Sequence, residues 1–214
     1  MNIRDITDVH NILYINLDHR TDRKEMAEKE FDKIGVKGVQ RFSAIKCEKG
    51  AIGCTKSHIE CLRIALDKGW DHIMIFEDDI EFTDPGTFIK KFNRFVSSGI
   101  PWDVVLLSGN IIHPYTKMNS SCVRIVGGCQ TTGAYFVSGK YIPTLLKNFE
   151  EGLSKLIEDP TNTLEYAIDR HWINLQRQHN WYIIIPLTVT QREGYSDIEK
   201  KKVSYTKMIL NIDK

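Results

Sequence analysis

Residues 72–82 read His72-Ile73-Met74-Ile75-Phe76-Glu77-Asp78-Asp79-Ile80-Glu81-Phe82. The apolar run from Ile73 to Phe76 breaks into three consecutive carboxylates, then polarity reverts at Ile80 and Phe82. A short Ile-rich run bounded in this way reads as a buried strand. Three acids at its end are costly to hold buried and ionised without a counter-ion. A divalent cation together with a phosphorylated ligand supplies one. In extended backbone Glu77 and Asp79 face the same way and Asp78 the other. That parity suits Glu77 and Asp79 to metal and phosphates, and Asp78 to a ribose or a partner arginine. A charged turn closing a strand is the plainer alternative.

Outward from this stretch, strands and helices alternate. Ile12 to Ile15 and Val39 to Ala44 read as strands, with a helix between them over 21–34 that Gly35 ends. A helix from Thr55 to Asp67 precedes the quoted strand, and one opened by Asp84-Pro85-Gly86 follows it. Asp103 to Leu107 is a strand and 108–121 a loop. Short strands are expected at 123–126 and 134–137, helices near 139–149 and 163–176, and a last strand at 181–185. The tail from about Glu199 is basic and is expected to be loose. This alternation predicts an α/β fold with a mostly parallel sheet early and a mixed one later. Ligands of open α/β sheets bind beyond the carboxyl ends of the strands. The acids lie at such an end, as does Asn16-Leu17-Asp18-His19-Arg20, so both are expected to line one crevice.

Composition sets bounds. A chain of 214 residues with 42% hydrophobic and 27% charged residues fits one globular domain. The net charge of +1 gives no electrostatic case for nucleic acid as a partner. No apolar run nears the roughly 18–20 residues a membrane span needs. The start of the chain, Met1 to Asn11, is polar and has no signal-peptide core. Cys47, Cys54, Cys61, Cys122 and Cys129 contain no CxxC spacing and read as free thiols in a reducing compartment, which suggests a cytoplasmic location. Cys54 and Cys61 could share a helix face, but no ligand-like histidine pattern accompanies them.

Four further constellations carry chemistry. Asn16, Arg20 and Arg23 fall within eight residues, and arginine beside a helix N-terminus suits a diphosphate; ordinary surface charge is the alternative. Gly50-Ala51-Ile52-Gly53 before Ser57-His58 could bring backbone N–H groups to a phosphate, or could simply cap a helix. Asp169-Arg170-His171-Trp172 offers Asp169 as a general base and His171 as a metal ligand, or only a surface ion pair above a core Trp. Gln191 through Ser196, Asp197 and Ile198 reads as a lid or as a plain loop.

Taken in order, these segments resemble glycosyltransferase family 25, which includes lipooligosaccharide and collagen hydroxylysine galactosyltransferases. Tyr14-Ile15-Asn16-Leu17 with Arg20 and Asp22-Arg23 looks like the family's opening "INLxxRxDR". Gly53 with Ser57-His58 is similar to "GCxxSH", and Phe76-Glu77-Asp78-Asp79 to "lEDD". Thr132-Gly133-Ala134-Tyr135 looks like "txgYlis", Asp169 matches a later aspartate, and Gln191 with Ser196-Asp197-Ile198 resembles "Q…SDI". The match runs over roughly residues 11–198.

The resemblance implies a GT-A-like α/β fold, a mixed and mostly parallel sheet flanked by helices. One domain would comprise a nucleotide-binding half at about 1–107, an acceptor half at about 108–198 and a tail at 199–214. It implies inverting transfer of a hexose from a UDP-sugar co-substrate to a hydroxyl of a glycan, lipid-linked or protein acceptor, with Mn²⁺ or Mg²⁺. Glu77, Asp79 and His171 would then hold metal, and Asp169 would be the base. Asn16, Leu17, Arg20, Arg23, Gly53, Ser57, Asp78, Thr132 and Gly133 would bind the donor. Gln191, Ser196 and Asp197 would serve acceptor and lid. Oligomeric state stays open, a dimer included. A metal-dependent phosphohydrolase or nucleotidyltransferase, and a catalytically silent nucleotide- or glycan-binding module, are the competing classes.

Overall fold

The computed structural model describes residues 3–213. Its strands are β1 (Ile12–Asn16), β2 (Gln40–Ser43), β3 (His72–Glu77), β4 (Ile80–Phe82), β5 (Val104–Leu106), β6 (Asn110–Ile112), β7 (Tyr115–Lys117), β8 (Cys122–Ile125), β9 (Gly128–Gln130), β10 (Ala134–Ser138), β11 (Trp181–Ile184), β12 (Val189–Gln191), β13 (Gly194–Ser196) and β14 (Lys201–Val203). Its helices are α1 (Thr21–Ile34), α2 (Gly50–Asp67), α3 (Pro85–Val96), α4 (Ile142–Glu158), α5 (Thr163–Tyr166), α6 (Ile168–His171), α7 (Ile173–Gln178) and α8 (Thr206–Ile209).

The main sheet has the order β2-β1-β3-β10-β5-β11-β8-β7. β1 pairs in parallel with β2 and β3, and β5 with β11, while β10 and β8 run antiparallel to their neighbours. Six of the eight strands therefore share one direction, the mixed and mostly parallel sheet of a GT-A-like fold. Both faces are covered, which is why the central strands are continuously apolar. Ile73 and Ile75 point into the core layer of α2 and α4; Met74 and Phe76 point into the layer of α1 and α3. β10 and β11 come from the later part of the chain, yet lie beside β3 and β5, so one sheet serves both stretches.

Local chemistry sets the ends of the elements. α1 stops at Gly35, whose φ of 70° ends it in the left-handed region. Asp84 caps α3 by accepting from Thr87 N–H at 3.0 Å, with Pro85 in the first turn.

Four expectations need correction. α2 begins at Gly50, not Thr55, because Gly53 lets its first turn press against the preceding segment: a Cβ there would lie 2.4 Å from the Ile45 carbonyl oxygen. α4 runs on to Glu158 rather than stopping at 149, with apolar Leu145, Phe149 and Leu156 buried along one face. The expected helix over 163–176 is three short ones, broken at Ala167, which is extended (ψ 144°), and at Trp172. Trp172 Nε1–H and Gln176 Nε2–H both donate to the Cys129 carbonyl, at 2.9 Å each, and these ties outweigh helix continuity. The expected loop at 108–121 contains β6 and β7, paired with β9 and β8.

The chain also continues in order beyond β11. β12 pairs with β4, β13 with β14, and Ile209 of α8 is fully buried, so the tail is not loose. Tyr115 Oη–H donates to Asp213 at 2.8 Å and ties the last residues back to β7. No helix among the described residues is long and apolar enough to cross a membrane.

Candidate active site

β3 delivers its acids to two different places. Side-chain alternation carries Glu77 to the α2 side, with Ile73 and Ile75, and Asp78 to the α1 side. Glu77 accepts from Thr132 Oγ1–H at 2.5 Å and lies 3.4 Å from His58 Nε2 of α2. Asp78 accepts from Asn16 Nδ2–H at 2.7 Å and from Arg23 of α1 at 2.9 Å.

The backbone turns at Asp78 and Asp79, so strict alternation ends there, and Asp79 lies near Glu77 by the turn and not by strand parity. Asp79 swings towards Arg23, at 3.3 Å, and Gln191 Nε2, at 3.4 Å. Burial, then the nearby Glu77 charge, pushes the Asp79 carboxyl from 3.8 to about 7. Burial also works against the charge of Glu77, but the His58 and Thr132 contacts outweigh it and hold Glu77 below its ordinary value. Burial raises Asp78, with Arg23 offsetting part of the effect.

The loop after β1 meets the segment after β12. Arg20 donates to Asp22 at 2.9 and 3.0 Å and to Asp197 at 2.7 Å. The Arg20 contact draws Asp22 down to about 2. Arg23 also donates to the Tyr195 carbonyl at 2.8 Å. Both arginines are thus engaged by the protein itself, where open diphosphate ligands were expected. Asn16 is buried and accepts from Arg41 Nε–H at 2.9 Å, which fixes its amide towards Asp78. Leu17 lies in the turn closed by the Arg20 N–H bond to its carbonyl. The β13–β14 hairpin lies over this loop, and Ile198 sits against Gly50 at the start of α2.

Asp169 of α6 comes to the α2 side. It accepts from Thr131 N–H at 3.0 Å, and burial raises its carboxyl, with Glu77 adding to the rise. Thr131 has φ 76°, a costly conformation for a β-branched residue. That strain is what aims its N–H at Asp169 while the next residue, Thr132, holds Glu77. Gly133 fits under the Gln191 side chain, and its carbonyl accepts from Glu77 N–H at 2.8 Å.

The structure therefore gathers Asn16, Arg23, Glu77, Asp78, Asp79, Thr132, Gly133, Asp169 and Gln191 at one sheet edge, with Arg20 and Asp197 at its rim. Four expected residues lie elsewhere or serve the frame. His171 packs its ring on Gly152 of α4, with Lys155, Glu151 and Glu165 as its charged neighbours, and so is not beside the acids of 77–79. Gly53 is inside α2 and is covered by Ile45. Ser57 is fully buried and joins Ile45 N–H to the Gly53 carbonyl, at 2.8 Å each, which fixes the α2 approach instead of meeting a donor. Ser196 Oγ accepts from Glu199 N–H at 3.1 Å and shapes the hairpin turn.

Sequence reasoning passed over Cys54 and Thr131. Cys54 and His58 are one helical turn apart on α2, and with Glu77 their donor atoms lie within 4.8 Å of one another. That i,i+4 spacing is the signal in the sequence, and His58 corrects the expectation that no ligand-like histidine accompanies Cys54 and Cys61. Burial pushes the Cys54 thiol well above its ordinary value.

A mixed α/β sheet with carboxylates gathered at the carboxyl edge of its central strand is a GT-A-like arrangement. The sequence profile of glycosyltransferase family 25 (LPS biosynthesis protein) matches residues 46–158, over half of the chain. The chain belongs to this family. It is 29% identical over 77 residues to the probable inactive glycosyltransferase 25 family member 3 of Rattus norvegicus, covering 34% of this chain and 13% of that protein. It is 27% identical over 124 residues to a putative glycosyltransferase of Acanthamoeba polyphaga mimivirus, covering 48% of this chain and 38% of that protein. The chain thus spans well under half the length of these curated relatives. Among solved structures, it is similar to mannose-1-phosphate geranyltransferase from Thermus thermophilus, at 9% identity and a TM-score of 0.48, over 82% of this chain and 73% of that one.

Proposed function

We propose that this chain is an inverting glycosyltransferase that moves a hexose from a UDP-sugar to an acceptor hydroxyl. The observation that carries this reading is the convergence of Glu77, Asp79 and Asp169 on the edge beside Thr131–Gly133, with Asp79 pushed up to about 7 by burial and by Glu77. Two carboxylates that resist sharing negative charge are a fitting oxygen donor set for Mn²⁺ or Mg²⁺. Glu77 and Asp79 would hold it, and once bound it supplies positive charge to the leaving diphosphate.

This chain's own residues do the rest. Asn16 and Asp78 line the nucleotide end, their amide and carboxylate already oriented by Arg41 and Arg23. Arg20 and Arg23 turn to the diphosphate when the β13–β14 hairpin lifts and Asp197 and the Tyr195 carbonyl release them. Asp169, raised by burial and held by Thr131 N–H, takes the acceptor proton. The acceptor oxygen then bonds to the anomeric carbon from the face opposite UDP, the bond to UDP breaks, and UDP leaves with its electron pair. Gln191 and Asp197 border the acceptor entrance.

Calorimetry with UDP, with and without Mn²⁺, tests the donor half. Binding that needs Mn²⁺ and is lost in Asp79→Ala supports it; no UDP binding under either condition rejects it. Asp169→Asn is expected to keep donor binding and to lose roughly 10²–10⁴-fold in turnover. A catalytically silent binding module is the second reading, favoured by the rat relative whose name calls it probable inactive. UDP binding with neither transfer nor donor hydrolysis, over a panel of nucleotide sugars, would decide for it.

A further inference from the structure

His58 presents an unresolved polar atom in a dry place. The residue is fully buried, and its Nδ1 is 2.8 Å from the Tyr135 hydroxyl. Its Nε2 has no hydrogen-bond partner, although Glu77 Oε1 lies 3.4 Å away. A buried ring nitrogen without a partner is costly, and a cation standing between it and the carboxylate would satisfy both. Cys54, one turn earlier on α2, completes a triangle of sulfur, nitrogen and oxygen donors within 4.8 Å of one another.

We propose that Cys54, His58 and Glu77 form a site for a soft divalent cation of the zinc class. A tetrahedral zinc-like ion has ligands at about 2.0–2.3 Å, which places its donors roughly 3.3–3.8 Å apart. The His58–Glu77 separation already meets that span, and the thiol needs to move by only about an ångström. The donor set is chemically unlike the nearby oxygens: thiolate and imidazole select zinc-class ions, whereas carboxylates alone suit Mn²⁺ or Mg²⁺. Tyr135 fills the role of an outer partner that fixes the ring and its tautomer. Three protein ligands leave a fourth position open, and Cys54 and Glu77 are both partly exposed, which gives the ion a way in. Because Glu77 belongs to both donor sets, zinc bound here draws Glu77 away from the oxygen site of the proposed transfer reaction. The site itself does not depend on that reaction.

Cobalt titration of the full metal-free chain tests this without any measurement of transfer. One equivalent of Co²⁺ should produce tetrahedral visible bands and a near-ultraviolet thiolate charge-transfer band, both displaced by Zn²⁺. Cys54→Ser should remove the charge-transfer band although the other four cysteines remain. Tyr135→Phe should keep the band and weaken Co²⁺ by about 10-fold. Asp79→Asn should leave the band intact. The proposal is overturned if wild type shows no charge-transfer band, or if the band survives Cys54→Ser. A cobalt signal that disappears in Asp79→Asn but not in Cys54→Ser would also overturn it, and would assign the ion to the oxygen site alone.

Discussion

The two faces of the sheet edge solve the same electrostatic problem differently. On the α1 face, Asp78 has Arg23, Asp22 and Asp197 have Arg20, and the buried Glu30 of α1 has Arg192 at 2.6 Å. On the α2 face, Glu77 and Asp169 have a hydroxyl, a ring nitrogen and one backbone N–H between them, and no arginine hydrogen-bonds to either among the described residues. The first face carries its counter-charge within the chain. On the second, Arg23 and Arg170 act only at longer range on Glu77 and Asp169, which leaves room for an added cation. Asp79 stands at the border, touching Arg23 on one side and feeling Glu77 on the other.

The largest effect should come from removing the built-in counter-charge. Arg23→Ala strips Asp78, whose side chain is only 9% exposed, of its ion pair. Breaking a buried pair costs about 3–5 kcal/mol, so the melting temperature should fall by roughly 6–20 °C. A loss under about 1 kcal/mol in urea denaturation would show that the α1 face is no better compensated than the other.

Next is the border residue. Asp79 binds its proton more tightly folded than unfolded, because its carboxyl is raised from 3.8 to about 7. The folded state therefore holds the extra proton between those values, and stability falls as pH rises through them. Glu77 acts in the opposite sense, but its contribution is complete above its ordinary 4.5. Between about pH 5 and pH 7 Asp79 alone should cost the metal-free protein at most about 1.4 kcal/mol per pH unit. Asp79→Asn should flatten that slope in melting curves taken across the range. Parallel wild-type and variant curves would remove Asp79 from the border.

The smallest effect belongs to the rim. The Arg20–Asp197 pair is partly exposed, so Asp197→Asn should cost only about 0.5–1 kcal/mol. That loss should appear as roughly 2- to 5-fold faster amide exchange across 194–203, with the core unchanged. Faster exchange throughout the sheet would mean that the pair holds more than a hairpin.

What could be read from the sequence followed locality. The apolar runs of β1 and β3, the Gly35 stop and the Asp84 cap are written within a few residues, and they stand where expected. Glu77 and Asp78 facing opposite layers was also legible, because alternation is a backbone property. Asp79 was not, since a turn begins inside the acid run. Gly53 looked like a phosphate loop because its true reason, the Ile45 carbonyl, is contributed by another segment. His171 looked like a ligand until the path of α4 put Gly152 under its ring. The grip of Trp172 and Gln176 on Cys129, which breaks the expected helix, spans more than forty residues and has no local signature.

The insertion of β10 between β3 and β5 also sets when the site can come into being. Thr132 and Gly133 reach Glu77 only after β10 has closed a loop of some sixty residues onto β3. Arg20 meets Asp197 only across 177 residues. Contacts of such long range are slow to form, because their loop-closure entropy is spent before they reward the chain. During synthesis Asn16, Arg23 and His58 leave the ribosome before the three acids, whereas Thr132 and Gln191 follow them. Arg23 can therefore temper Asp78 and Asp79 early, but the site is complete only once Gln191, about 190 residues into the chain, has emerged.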